Sequence, residues 1–167
     1  MGNWGEIRMV GDWQKVALLI QNMATEMEKA KITSLQRFGL KMEEVVLNHI
    51  SMQDMGWKPL DPKYIESKVR KGLSDNILVA TSDYFNAIQS WVDKDSQTAY
   101  IGVKKGKIDK NGNEIGDIAQ VHEYGSMSGK IPKRPLWEPS FKDVKEWYFK
   151  SDHTPDKIFI KEIQKYL

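Results

Sequence analysis

Between residues 13 and 52 the apolar side chains return every three or four positions, the spacing of one helical face. They fall first at Trp13, Val16, Ile20, Met23, Met27 and Ala30, and then at Leu35, Phe38, Met42, Val45, His49 and Met52. The second stripe is out of phase with the first by about one residue. A kink or break is therefore expected over residues 31–34, where Ile32 and Thr33 are β-branched and Ser34 is a capping type. Asp12 after Gly11 is placed to cap the first helix, and residues 6–10 alternate like a short strand. Stripes that mix methionine and aromatic residues are expected to form core, a partner-facing seam being the other use of the same pattern.

Downstream the punctuation shortens. Gly56 and Pro59 end the helical region and leave Trp57 in irregular backbone as a packing anchor. Asp61-Pro62 sets a cap and a first-turn proline for a short helix running to Gly72. Its Lys63, Lys68, Arg70 and Lys71 read as a solvated basic face, with phosphate contact as the alternative. After the apolar run Ile77-Leu78-Val79 and the turn cluster Thr81-Ser82-Asp83, residues 84–92 predict a helical turn leading into a strand. Residues 98–103 predict a further strand, and residues 104–116 a polar hairpin with Asn111-Gly112 at its tip. Phe141, Val144, Trp147 and Tyr148 return to helical spacing behind Pro139-Ser140. A break at 151–155 then precedes an amphipathic helix carrying Ile160, Ile163 and Leu167. The expected fold is α+β: N-terminal long or broken helices packed on a small, mostly antiparallel sheet, with C-terminal helices. One domain spans 1–150, and a helical tail, 151–167, packs at home or on a neighbour.

Residues 118–140 hold the densest backbone chemistry. A short apolar–polar alternation stops at Gly125; a Ser-Met-Ser-Gly loop follows, and then Ile-Pro-Lys-Arg-Pro-Leu-Trp. Gly125 and Gly129 permit positive φ, while Pro132 and Pro135 fix φ and hold the preceding residues extended. The stretch is shaped to hold one conformation, as a docking surface requires. His122, Glu123, Tyr124 and Gly125 are expected to form a shaped turn, with Pro132, Arg134, Pro135 and Trp137 on the presented segment. Arg134 is expected either to clamp a carboxylate or carbonyls of a neighbouring subunit or to act as an internal clamp.

Composition narrows the classes of function. Of the 167 residues 40% are apolar and 29% charged, an ordinary balance for a folded domain. Apolar runs fall far short of the roughly 20 residues that span a bilayer, and the N-terminus lacks the order of a signal peptide, so no membrane partner and synthesis in the cytoplasm are expected. The absence of cysteine removes disulfides, thiol catalysis and cysteine-bound zinc. With 25 basic and 23 acidic residues the net charge is only +2, unlike domains that grip nucleic acid. Asp109, Asn111 and Asn113 begin like a calcium loop, but Glu114 and Gln120 stand where that loop needs glycine and a bidentate glutamate. His122-Glu123 begins like a zinc-protease helix, yet Ser126 takes the place of the second histidine. Neither a catalytic triad spacing nor a glycine-rich phosphate loop occurs. No metal, no cofactor and no enzymatic activity are expected.

Five segments, in order, carry a resemblance: Trp57-Lys58-Pro59-Leu60 with Tyr64; Ile77-Leu78 before Thr81-Ser82; Tyr100-Ile101-Gly102-Val103; Val121-His122-Glu123-Tyr124-Gly125; and Ile131-Pro132-Lys133-Arg134-Pro135-Leu136-Trp137. The set resembles the virion-morphogenesis family of tailed bacteriophages, the neck or tail-completion proteins of the head–tail junction. Two departures stand out: Thr81-Ser82-Asp83-Tyr84 replaces the family's Thr-Gly-x-Leu turn, and Tyr124-Gly125 replaces Phe-Gly. The resemblance implies a structural virion protein made as a closed ring of copies of itself. Its partners would be a head connector or head-closure protein and a tail-terminator or tail-tube protein, with DNA passing through the lumen without sequence-specific binding. A tail terminator capping the tube is the nearest alternative, and a basic nucleic-acid-binding module is the alternative of another class.

Overall fold

The computed structural model describes residues 11–166; the strand expected over residues 6–10 and the side chain of Leu167 lie outside them. The architecture is α+β. Helix α1 (Trp13–Met52) is followed by α2 (Pro62–Arg70), the short α3 (Asp83–Ala87), strands β1 (Ile88–Asp93) and β2 (Thr98–Val103), and helices α4 (Ile115–Tyr124), α5 (Trp137–Lys150) and α6 (Pro155–Ile163). β1 and β2 form a two-stranded antiparallel sheet, in register from Ile88 opposite Val103 to Asp93 opposite Thr98.

Helix α1 runs unbroken through residues 31–34, contrary to the expected kink. A β-branched residue costs a helix only tenths of a kcal/mol, which tertiary packing overrides. Ser34, fully buried, is used as a clasp instead of a cap. Its Oγ donates to the His153 carbonyl and meets the Tyr148 hydroxyl, which must then be the donor of that second bond. The phase change between the stripes marks a change of surroundings. The second half buries Ala30, Ser34, Gly39, Met42, Val46 and Ile50, whereas no side chain before Ala30 is buried among the described residues. Apart from Ala30, the first stripe is therefore not core: Trp13 is 50% exposed and Ile20 63%.

The core gathers on that second half. Met42, Val46 and Ile50 pack with Trp57, Tyr84, Ile88, Ile115, Leu136 and Val144, and α1 touches β1, β2, α5 and α6. Gly39 lets β1 approach, since a Cβ there would stand 3.2 Å from Ser90 Cβ. One turn on, Glu43 Oε2 accepts from both Ser90 N (2.6 Å) and Ser90 Oγ (2.8 Å), which satisfies a backbone donor at the edge of a sheet that has only two strands. Helix α6 lies against α1 with Ile158 as its buried residue, whereas Ile160, expected on the apolar face, is 54% exposed.

The apolar run Ile77-Leu78-Val79 is irregular: Leu78 has φ 66°, and the Gln53 side-chain amide serves Ile77, accepting from its N–H (2.9 Å) and donating to its carbonyl (3.1 Å). The hairpin expected over residues 104–116 shrinks to a single bridge between Ile108 and Glu114, because α4 starts at Ile115. Its tip is held by the Asp109 carboxylate, which accepts from the Asn111 and Asn113 N–H groups at 2.8 Å each and so is consumed in the turn.

Replacing Glu43 with alanine strands the Ser90 N–H against the helix and is expected to cost about 1–3 kcal/mol of stability, read by urea denaturation. An unchanged unfolding midpoint would show that this carboxylate does not hold the sheet to α1.

Candidate functional site

The candidate residues of 118–140 meet Trp57 at one end of α4. Residues 115–124 place Ile115, Ala119 and His122 on one helical face, so the alternation read from residue 118 onward resolves into helix. His122, Glu123 and Tyr124 are thus the last turn of α4, not the shaped turn expected; only Gly125 turns the chain. It has φ 84°, its N–H returns to the Val121 carbonyl, and a Cβ would stand 3.2 Å from the Ile131 carbonyl oxygen and 3.3 Å from Lys133 Cγ. Both the conformation and the close approach call for glycine.

The loop after Gly125 closes on itself. Ser126 N donates to the Ile131 carbonyl at 2.9 Å, Ile131 N to Ser126 Oγ at 2.8 Å, and Met127 stands fully exposed at the tip. The returning Ile-Pro-Lys-Arg-Pro-Leu-Trp segment is then bonded to three remote residues. Arg134 N donates to the His122 carbonyl at 2.7 Å. Glu123 Oε2 accepts from Leu136 N at 2.8 Å and Trp137 N at 3.4 Å, a carboxylate of α4 at the N-terminus of α5, where Leu136 has no side chain able to cap. Trp57 Nε1 donates to the Pro135 carbonyl at 3.0 Å. Trp57, His122, Glu123, Gly125, Arg134, Pro135 and Trp137 therefore form one hydrogen-bonded knot. Pro132 lines the cavity beside it, and Tyr124 points away, 72% exposed.

Arg134 is inside. Only 4% of it is exposed, and its Nη1 lies 3.4 Å from His122 Nδ1. The guanidinium can only donate, so Nδ1 accepts and the imidazole is neutral. Burial pushes the His122 pKa down to about 4, and the positive charge of Arg134 acts in the same direction. Lys68 was read as part of a solvated basic face; it is 3% exposed and donates to the Asn76 carbonyl at 2.8 Å. Its partner lies in the chain that follows α2, a contact helix spacing does not report. The one local sign is Tyr64, a turn earlier on the same face, whose ring the ammonium overlies at 5.9 Å.

These residues wall a cavity of about 860 Å³ between α2, α4 and the returning segment, with Lys68, His122, Pro132 and Arg134 in its lining.

The His122 shift makes stability depend on pH in a defined direction. The unfolded residue titrates near the ordinary histidine value of about 6.5, the folded one at about 4. Between these values the unfolded chain binds the extra proton, so the stabilisation due to His122 is complete above about pH 6.5 and is lost as pH falls towards 4. His122→Gln, which keeps an acceptor for Arg134, is expected to flatten the fall in melting temperature over that window relative to the unchanged chain. Parallel curves would show that His122 stays protonated or exposed.

No family model and no solved structure matches the chain. It is similar to uncharacterized protein MJ0331 of Methanocaldococcus jannaschii, 24% identical over 126 residues that cover 75% of this chain and 82% of the archaeal one.

Proposed function

We propose that this chain is a structural protein of a tailed phage or phage-like particle, assembling as a ring at the neck, where it completes the tail or head and joins the two. The observation that carries the assembly half of this reading is the first half of α1. Before Ala30 the helix extends for about 25 Å at 1.5 Å per residue with no buried side chain among the described residues, while presenting Trp13, Val16, Leu18, Ile20 and Met23 as exposed apolar groups. A helical stretch of this length is marginal in water unless an apolar face is covered. An arm that meets a different patch on the next copy is the heterologous contact from which closed rings are built.

The virion half rests on the ordered resemblance, and the knot gives that resemblance physical content. Segments separated by more than sixty positions in the chain, Trp57 and the 122–137 region, hold one another by backbone hydrogen bonds. Residues so engaged fix the shape of a loop, which suits a subunit whose task is to fit between others. Lys68 lies inside, so the basic face of α2 retains Lys63, Arg70 and Lys71 for solvent, a smaller footprint than a phosphate-gripping helix needs.

The purified chain is expected to sediment as an oligomer and to show rings by negative-stain electron microscopy. Val16→Glu combined with Ile20→Glu should leave a folded monomer that unfolds cooperatively, at a melting temperature below that of the assembled chain. Oligomers that survive this double substitution would place the interface elsewhere. Particles that join heads to tails normally with the doubly substituted chain would end the neck reading.

A further inference from the structure

The cavity beside the knot holds two buried cations that no carboxylate among the described residues pairs with. Lys68 and Arg134 are 3% and 4% exposed, both line it, and neither forms an ion pair among the described residues. Lys68 spends one N–H on the Asn76 carbonyl. Arg134 meets only neutral His122 through Nη1, and its Nε is buried with no acceptor at all. Burying one uncompensated charge is costly, and burying two of like sign near each other is more so.

The nearby acids do not discharge them. Asp75 acts on Lys68 through space, without ion-pair contact, while Arg134 opposes it. Asp61 is engaged as the N-cap of α2 through Lys63 N, and Asp109 is consumed in its turn. Asp83 also lines the cavity, with Oδ2 buried and unpartnered, so it has not paired with either cation. Apolar side chains, among them Leu60, Leu73, Ile77, Ile118 and Ile131, share the remaining wall with Lys58, Thr81, Ser82, Asn111 and Lys130. A volume of about 860 Å³ is in the range of small-molecule sites.

We infer that this cavity is a binding site for a small organic carboxylate with an apolar body, its oxygens taken by the Lys68 ammonium and the Arg134 guanidinium. Guanidinium presents a planar fork that matches a carboxylate, and a buried ammonium supplies a second charge-assisted donor. The apolar walls take the rest of the ligand. The inference is independent of the assembly reading, since it concerns a cavity within one chain.

The test is calorimetric titration of the full chain with hexanoate and with acetate, at fixed chloride concentration. Hexanoate is expected to bind saturably and at least ten-fold more tightly than acetate, because its added methylenes reach the apolar walls. Its affinity should fall at least ten-fold in Arg134→Gln and in Lys68→Met. Lys68→Met removes a buried charge while keeping the stem, so it should fold with a melting temperature equal to or above that of the unchanged chain when no carboxylate is present; it carries the test if Arg134→Gln fails to fold. No saturable hexanoate binding, equal affinity for acetate, or full affinity in Lys68→Met would each overturn the inference.

Discussion

Everything that is compact in this molecule is built on the second half of one helix. Val46 and Ile50, both fully buried, face the core where β1, β2 and α5 converge, and full burial of each such side chain contributes about 1.5–3 kcal/mol. A sheet of two strands is not stable alone. It gains a third neighbour in α1, which comes close enough at Gly39 to touch Ser90 and then supplies the Glu43 carboxylate to the strand edge. Helices α5 and α6 are tied to the same spine through the Ser34 clasp to Tyr148 and His153. The fold is thus a long lever with one end embedded and the other exposed, and the boundary lies at Ala30, the first buried residue of α1.

What was legible in the sequence was local. Asp12 and Asp61 cap α1 and α2 through the backbone N–H groups of Lys15 and Lys63, as their positions before helical spacing implied. The strand at 98–103 and the helix through Phe141 and Val144 follow from periodicity alone. What failed was the inference from periodicity to burial. The stripe from Trp13 to Met27 has the same spacing as the buried one, but spacing reports which residues share a face and not whether anything covers that face. The hairpin at 104–116 failed for a related reason: Asn111-Gly112 does turn the chain, yet the flanking residues are claimed by the Asp109 turn on one side and by α4 on the other.

The candidate residues meet in one place, with Trp57 as the packing anchor expected and Arg134 in the internal posture that was left open beside a neighbour contact. Glycine and proline content drew attention to residues 118–140, and that region is where remote segments meet. Its key groups, however, face inward. Trp57 donates one hydrogen bond to the returning chain, Glu123 accepts two from it, and Arg134 is buried beside His122. Lys68 could not be recognised, because a lysine on an amphipathic helix is ordinarily solvated, and here its ammonium is taken by the Asn76 carbonyl at the wall of the cavity.

The knot and the cavity share residues, which links their energetics. The His122 carbonyl holds Arg134 N, its ring lies against the Arg134 side chain, and both side chains line the cavity together with Pro132 and Ile131. A ligand neutralising Arg134 and Lys68 binds the folded chain alone, since the unfolded chain has no such cavity, and so stabilises it by RT ln(1 + [L]/Kd). That stabilisation falls on the segment from Ile131 to Trp137, which closes the exposed Met127 loop and begins α5. A carboxylate in the cavity would act on this loop through Arg134, whose backbone N–H is held by the His122 carbonyl.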